Sequence, residues 1–259
     1  MKKHFGIIFI FWLTLIISCD PAADKTKCYP TRITTTIASG GGSSSIISDY
    51  HYEGDTLSYI IFSTGQTHYF QYNDDGKLST VREVNDKLLR KDEYVLTYDG
   101  KDLTRVDISV MNLDYEYRTD LDTFYYAYRE YEYTGKHITK EYDYSRSDSD
   151  AAFTLQKETD YSWDESGNLS AIVISDISPE VVTTINMSYD VGNHPFSALN
   201  LLFDGKESHV NNLVSMTNDQ TGSEFAFTLV YNDHLYPEQL IEKENGTINR
   251  IVRYDYDCR

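Results

Sequence analysis

The sequence predicts an all-β protein: an antiparallel up-and-down meander of about 15–16 strands, curled or closed into a barrel-like sheet. Three observations predict it: pairs of apolar and aromatic residues two positions apart, glycine turns after those pairs, and alternation of apolar and polar residues between turns. Convincing helical periodicity is confined to a turn or two within 196–203.

The repeat is clearest at 70–81, where Phe70 and Tyr72 precede an Asn-Asp-Asp-Gly turn and Leu78 and Val81 follow it. Residues two apart lie on one face of a strand, and glycine adopts the positive φ of a tight turn. We expect each copy to form a β-hairpin, with either a β-bulge or a leucine folded under the turn in the three-residue step that follows it. The pairs before the turns are Tyr50/Tyr52, Phe70/Tyr72, Leu96/Tyr98, Tyr131/Tyr133, Tyr161/Trp163, Met187/Tyr189, Leu229/Tyr231 and Tyr254/Tyr256.

Alternation gives each strand one apolar and one polar face, as Phe225, Phe227 and Leu229 illustrate. A meander of this many strands favours curling or closure, because closing the sheet removes its exposed edges. We expect a signal peptide over 1–18, a lipidated tether over 19–29 and a single β domain over 30–259.

The N-terminus has the pattern of an export signal. Lys2 and Lys3 precede an apolar run over 5–17, and Leu-Ile-Ile-Ser before Cys19 looks like a bacterial lipobox. That resemblance implies cleavage before Cys19 and attachment of lipid, such as palmitate, to it. We expect an outer-membrane lipoprotein that faces either the periplasm or the cell surface. The alternative is an ordinary secretory signal with an incidental cysteine.

The chain is acidic, with a net charge of −18 from 23 basic and 41 acidic residues. Cleavage after residue 18 would remove Lys2 and Lys3, leaving 21 basic and 41 acidic residues and a net charge of −20. Such a chain repels phosphate backbones, so we expect no nucleic-acid partner and a membrane association through lipid alone.

Two further cysteines, Cys28 and Cys258, bracket the repeats. Export would place them in an oxidising compartment. The sequence leaves two alternatives: a disulfide that ties the first strand to the last, or two free thiols.

A family resemblance rests on the lipobox, on Cys-Tyr-Pro at 28–30, on turns such as 72–78 and on Asn-His-Pro-Phe at 193–196. The turns resemble YD (Rhs-type) repeats. The whole arrangement is similar to Bacteroidota-type lipoproteins that carry a domain of unknown function with a porin-like fold. The resemblance spans nearly the entire mature chain and implies that fold. It supplies no catalytic residues, and the copies near 131–141, 187–199 and 229–240 depart from the turn pattern.

Catalytic and metal motifs are missing from the sequence, so we predict no catalytic residue, no metal site and no cofactor. His51 and His68 on nearby strands form the one histidine pair considered as metal ligands, with polar strand residues as the favoured alternative. Acidic turns at 73–75 and 164–165 lack a full calcium-loop signature.

Tyrosine is the most suggestive residue type, at 23 of 259 positions. Exposed rings flanked by Asp and Asn can stack on sugars, although tyrosine is also simply a good strand residue. The candidate ligand-facing aromatics are Tyr115, Tyr117, Tyr125, Tyr126 and Tyr128.

We therefore predict a non-catalytic envelope lipoprotein that binds a glycan, a peptide or a partner protein through a Tyr-rich β scaffold. Two alternatives are a hydrolase acting on polysaccharide and a structural component of an envelope assembly. A third is a membrane-spanning barrel, because apolar-out strands alternate in the same way as apolar-in strands. Strands with charge on both faces, as at 91–93, disfavour that third alternative.

Overall fold

The protein is a closed barrel of antiparallel strands. The computed structural model describes residues 26–39, 42–85, 90–112, 124–146, 151–196 and 211–259, and within these ranges the chain forms sixteen strands and no helix. Each strand pairs with its neighbours in sequence, and β1 pairs with β16. The strands are β1 (Cys28–Ser39), β2 (Gly42–Glu53), β3 (Thr56–Phe62), β4 (Gln66–Tyr72), β5 (Leu78–Asn85), β6 (Arg90–Asp99), β7 (Asp102–Asn112), β8 (Phe124–Thr134), β9 (His137–Ser145), β10 (Thr154–Trp163), β11 (Leu169–Ile177), β12 (Glu180–Asn193), β13 (Asn211–Asn218), β14 (Ser223–Tyr231), β15 (Pro237–Glu244) and β16 (Thr247–Cys258). The predicted meander is confirmed, and of the two shapes left open the sheet is closed.

The first and last strands meet where the barrel closes. Cys28 lies opposite Cys258 in the β1–β16 pairing, and the two sulfur atoms form a disulfide with an S–S distance of 2.00 Å. Beyond the disulfide, the backbones of Lys27 and Arg259 exchange two hydrogen bonds of 3.1 and 2.9 Å. The first and last strands are therefore joined both covalently and through the backbone.

The repeat turns are built as expected and lie on one rim, which we call the turn rim. Gly76 has φ 75°, and the Asn73 side-chain oxygen accepts hydrogen bonds from the backbone nitrogens of Asp75 and Lys77 at 3.1 and 2.9 Å. Asp164 repeats this arrangement in its own turn. A short polar side chain before the glycine thus stabilises the turn backbone.

A β-bulge follows the turns. Between β4 and β5 the register shifts after Gln71, leaving Ser79 as the extra residue, and its hydroxyl donates to the Gln71 carbonyl at 3.1 Å. The same hydroxyl-to-carbonyl bond joins Thr104 to Thr97 and Ser170 to Ser162. The predicted bulge is confirmed, and it explains why apolar residues three apart both face inward.

The apolar face of the sheet points into the barrel. Leu57, Val81, Leu103, Val106 and Ile138 are at most 1% exposed and form the centre of the core. The paired aromatics pack around them, and together these residues make up an apolar belt near the turn rim.

The chain after β12 enters the interior. The Phe196 ring lies 6.0 Å from that of Tyr50 on β2, although Phe196 directly follows β12 in the chain. Phe196 therefore packs across the interior against the wall that contains β2. Residues 197–207 lie outside the described ranges.

Two strands begin earlier than local sequence indicates. β1 begins at Cys28, ahead of the β-branched run at 31–38, and β2 begins at Gly42, within the Gly/Ser-rich segment 39–45. Pairing with β1 explains the second difference, because Ser45 lies opposite Thr36 and their hydroxyl groups are 3.0 Å apart. Over the described ranges, none of the structure is a helix with the length and hydropathy of a membrane span.

Candidate functional site

Hydrogen bonds from the aromatic residues hold the belt together. In five strands, the last tyrosine or tryptophan before the turn rim donates to a backbone carbonyl near the start of a neighbouring strand. These bonds run from Tyr52 to Pro30 (2.8 Å), Tyr72 to Leu57 (3.0 Å), Tyr98 to Leu78 (2.8 Å), Trp163 to Ile138 (2.7 Å) and Tyr256 to Pro237 (2.9 Å). At the turn rim the interior is therefore a packed core.

The interior changes character toward the opposite rim, which we call the far rim. Arg129, Asp143, Lys157 and Asp176 lie opposite one another on the adjacent strands β8, β9, β10 and β11. Each is two residues from an inward-facing neighbour on its strand, as Arg129 is from the buried Tyr131. These four residues form a row of alternating charge on the inner wall, the inner charged row.

The cations of this row share one carboxylate. Arg129 Nε donates to Oδ1 of Asp143 at 2.7 Å, and Lys157 Nζ donates to Oδ2 of the same carboxylate at 2.6 Å. Asp176, at the end of the row, forms no ion pair with any other residue that the structure describes. The row therefore holds one doubly paired carboxylate and one carboxylate without a cation.

Glu141 lies on the same face of β9 as Asp143, two residues closer to the belt, and is only 5% exposed. The Tyr161 hydroxyl donates to its Oε2 at 2.8 Å, and Arg129 Nε lies 3.9 Å from Oε1. Burial raises the pKa of Glu141, the Asp143 charge raises it further, and Arg129 opposes both. Burial likewise raises the pKa of Tyr161.

A cavity of about 330 Å³ lies beside the charged row at the far rim. Its lining consists of Asp143, Gln156, Lys157, Asp176, Ser178, Pro179 and Val181. Gln156, Ser178 and Pro179 are exposed, so this far-rim cavity opens to solvent. It combines two carboxylates, an ammonium, an amide and a hydroxyl with a short apolar wall.

A second polar group faces inward on β4 and β5. The Gln66 amide donates to a Glu83 oxygen at 3.3 Å, and His68 Nε2 lies 3.7 Å from the other oxygen. The latter distance exceeds a hydrogen bond. Burial lowers the pKa of His68 to about 4, so its imidazole is neutral at physiological pH.

The two histidines considered as metal ligands point to opposite faces of the sheet. His51 stacks on Tyr59 outside the barrel with ring centroids 4.3 Å apart, while His68 packs on Phe62 inside at 4.6 Å. No cluster of three His, Cys, Asp or Glu residues with metal-binding geometry occurs within the described ranges.

Of the predicted ligand-facing aromatics, Tyr128 has described contacts. Arg105 covers its ring at 3.7 Å, Tyr144 stacks on it at 4.6 Å and Phe153 meets it edge-on at 4.8 Å. Arg105 and Tyr144 come from the strands on either side of β8, so the Tyr128 ring contacts side chains from both neighbouring strands.

The other candidate residues have less structural context. Tyr125 and Tyr126 lie in β8, but their side chains are not among those described, and Tyr115 and Tyr117 lie outside the described residues. Cys19, the predicted lipidation site, also lies outside them.

Comparison with known proteins supports the fold. A porin-like protein from Bacteroides uniformis superposes with a TM-score of 0.54 at 12% identity, over 88% of this chain and 96% of that chain. A porin-like protein from Bacteroides vulgatus gives a TM-score of 0.41 at 14% identity, over 89% and 99% of the two chains. A Bacteroides fragilis protein of unknown function gives 0.29 at 13% identity, over 53% and 87%. No family model and no curated protein matches the sequence.

The first of these similarities shows a shared fold. It confirms the porin-like architecture that the family resemblance implied, and it assigns no ligand or activity.

Sequence reasoning missed the inner charged row, although one signal for it was present. Glu141 stands three residues after Ile138, at the position that Val81 and Val106 occupy in other copies. A carboxylate at a core position of the repeat marks the strand where the interior becomes polar. Alternation alone also places Asp143 on the inner face.

Proposed function

We propose that this protein is a non-catalytic binding protein of the bacterial envelope, anchored by lipid at Cys19, that takes a ligand at the far rim of its barrel. The observation that carries the proposal is the change along the interior, from a packed apolar belt at the turn rim to charged groups beside a solvent-open cavity. A barrel that is packed at one rim and polar at the other has a binding pocket at its polar rim. Such a pocket would take a glycan or a peptide, and a partner protein would enter it through a protruding segment.

The outer wall supports a barrel that stands in water. Arg105 pairs with Asp107 and Glu130 at 2.6 and 3.2 Å, and Lys140 pairs with Asp160 at 2.9 Å, all on outward-facing strand positions. On a lipid-facing wall, Arg or Lys at the bilayer midplane costs about 2–4 kcal/mol each. These ion pairs therefore favour a lipid-anchored barrel over a membrane-spanning one.

The start of β1 and the position of Arg259 support an orientation of the barrel relative to the membrane. β1 begins at Cys28 on the turn rim, where Arg259 bonds to the Gly54 carbonyl at 2.7 Å. A tether of nine residues from Cys19 to Cys28 reaches at most about 30 Å. The proposed anchor would hold the turn rim toward the membrane and direct the far rim away from it.

A hydrolase is less well supported, because the carboxyl group with the raised pKa is enclosed. Glu141 bonds to Tyr161, lies close to Arg129 and is almost inaccessible. A general acid must reach the leaving group of a bound substrate. Glu141 in this position is better explained as part of the interior packing.

The function is tested by screening the intact chain, purified in detergent, on glycan and peptide arrays with analysis of released products. We expect saturable capture without product. Val181→Trp, which fills the far-rim cavity, should abolish capture, whereas Val191→Trp, at a position 90% exposed, should not. Released sugar or peptide fragments, or capture that survives Val181→Trp, would contradict the proposal.

The anchor is tested separately by metabolic labelling with a palmitate analogue. The intact chain should incorporate label and partition with membranes, and Cys19→Ala should abolish both. Label retained in Cys19→Ala would exclude lipidation at this position.

A further inference from the structure

We infer that the far-rim cavity binds the ammonium group of a ligand, with Asp176 as its counter-ion. This inference rests on the proposed function and names the chemistry of the ligand: an aliphatic or sugar group that carries an amine. Lysine side chains and amino sugars share this chemistry.

The distribution of ion pairs leaves Asp176 available. Both cations of the inner charged row bond to Asp143, Arg129 at 2.7 Å and Lys157 at 2.6 Å. A carboxylate has two oxygens that accept such charge-assisted bonds, and here both are in use. Asp176 is left as the acceptor of the row without a cation, within the part of the chain that the structure describes.

The strand register places this carboxylate on the cavity wall. Asp176 lies opposite Lys157 on one side and opposite Val181 on the other, and all three line the cavity. The ammonium group of Lys157 on β10 points toward Asp143 on β9, whereas Asp176 lies on β11, on the other side of β10. A ligand cation would occupy the corresponding place beside Asp176.

The remaining lining fits the rest of such a ligand. The Gln156 amide and the Ser178 hydroxyl can hydrogen-bond to an ammonium or to sugar hydroxyls. Pro179 and Val181 offer an apolar wall for an aliphatic stem or the face of a sugar ring.

Size and charge agree with this assignment. A volume of about 330 Å³ is at the small end of ligand pockets, which suits one side chain or one sugar rather than a folded domain. The cavity lining carries two carboxylates against one ammonium, and the whole chain carries a net charge of −18. Both charges attract cations and repel anionic ligands.

The experiment is a calorimetric titration of the intact chain in detergent with matched probes. Nα-acetyl-lysine methylamide is compared with Nα-acetyl-norleucine methylamide, which lacks the ammonium, and glucosamine is compared with glucose. In at least one of the two pairs, we expect the amine to bind at least about tenfold more tightly than its neutral partner, as a lost charge-assisted hydrogen bond predicts. The pair with the larger ratio identifies the source of the amine, a lysine side chain or an amino sugar.

Asp176→Asn should weaken amine binding by about tenfold or more, because it removes the charge and keeps the shape. Asp74→Asn, at an exposed position on the turn rim, removes an equal charge and should leave binding unchanged. Circular dichroism and thermal melting establish that both variants are folded.

Three results would overturn the inference: equal binding of amine and neutral partner in both pairs, unchanged amine binding in Asp176→Asn, or no saturable binding of either amine. Any of these, combined with array capture that Val181→Trp abolishes, would leave the proposed function standing. Array capture that fails altogether would instead remove the proposed function.

Discussion

The phenol of Tyr98 on β6 donates a 2.8 Å hydrogen bond to the carbonyl oxygen of Leu78 on β5. Equivalent bonds are made by Tyr52, Tyr72, Trp163 and Tyr256, so at these positions the aromatic residue near the end of a pre-turn strand is hydrogen-bonded to a neighbouring hairpin. The hydrogen bond therefore connects neighbouring hairpins of the repeat. It also explains why tyrosine or tryptophan, with a polar tip, occupies this position rather than phenylalanine.

Tyr98→Phe should destabilise the barrel by about 1 kcal/mol, because it leaves the Leu78 carbonyl without this donor while preserving the ring. Urea unfolding followed by circular dichroism measures the change. Tyr69→Phe, on the outer wall at 45% exposure, is the matched control and should change stability little. Equal effects of the two substitutions would show that the bond contributes nothing beyond the ring.

The disulfide between Cys28 and Cys258 closes a loop with a sequence separation of 230 residues. Replacing both cysteines by alanine should reduce the free energy of unfolding by about 2–5 kcal/mol. Reductant should lower the native midpoint in urea toward that of the variant and leave the variant unchanged. A native midpoint that is insensitive to reductant at high urea would contradict the expected stabilisation.

Gly192 lies near the end of β12, beside a packed polar cluster of Asp190, Asn212 and Tyr231. A Cβ atom at this position would stand 2.6 Å from Cε1 of Tyr231 and 3.0 Å from Nδ2 of Asn212, which is 3% exposed. Gly192→Ala should therefore lower stability by about 1–3 kcal/mol. Gly42→Ala, with no atom within 4 Å of the new methyl, should be close to neutral. Thermal melting of both variants measures the two effects. A neutral Gly192→Ala would mean that Tyr231 moves aside freely.

Much of the fold follows from local sequence. At 70–81 the parity of Phe70 and Tyr72, the turn glycine and the step from Leu78 to Val81 each specify one local conformation, and repetition builds the meander. Closure did not follow, because a rolled open sheet and a barrel have the same strand pattern. It depends on the pairing of β1 with β16, the first and last strands, which are far apart in the sequence.

The candidate site was less predictable. Alternation identifies the face of the sheet on which Arg129, Asp143, Lys157 and Asp176 lie. Their positions along the barrel axis depend on strand register. That register is shifted by bulges such as the one between Leu155 and Lys157. The charged row therefore exists only after four strands have been aligned, and no short segment of sequence contains it.

His68 should make stability depend on pH between about 4 and 6.5. Its pKa falls to about 4 in the folded state from an ordinary value near 6.5, so in this window the unfolded state binds more protons. Stability should rise with pH across the window, by at most about 1.4 kcal/mol per pH unit from this residue. His68→Gln should reduce that slope in urea unfolding at pH 4.5, 5.5 and 6.5, and an unchanged slope would contradict the burial effect.

Glu141 should act in the opposite direction. Burial raises its folded pKa above the unfolded value, so the folded state holds the proton more tightly and stability from this residue falls as pH rises through that interval. Glu141→Gln keeps an acceptor for Tyr161 without the buried charge. The stability of the variant relative to the native protein should therefore increase from pH 4 to pH 7 in urea unfolding. Glu130→Gln, on the outer wall beside Arg105, is the control and should show a much smaller trend. If the stability of Glu141→Gln relative to the native protein fell as pH rises, the contact with Arg129 would outweigh the cost of burial. The carboxylate would then be a stabilising member of the charged interior.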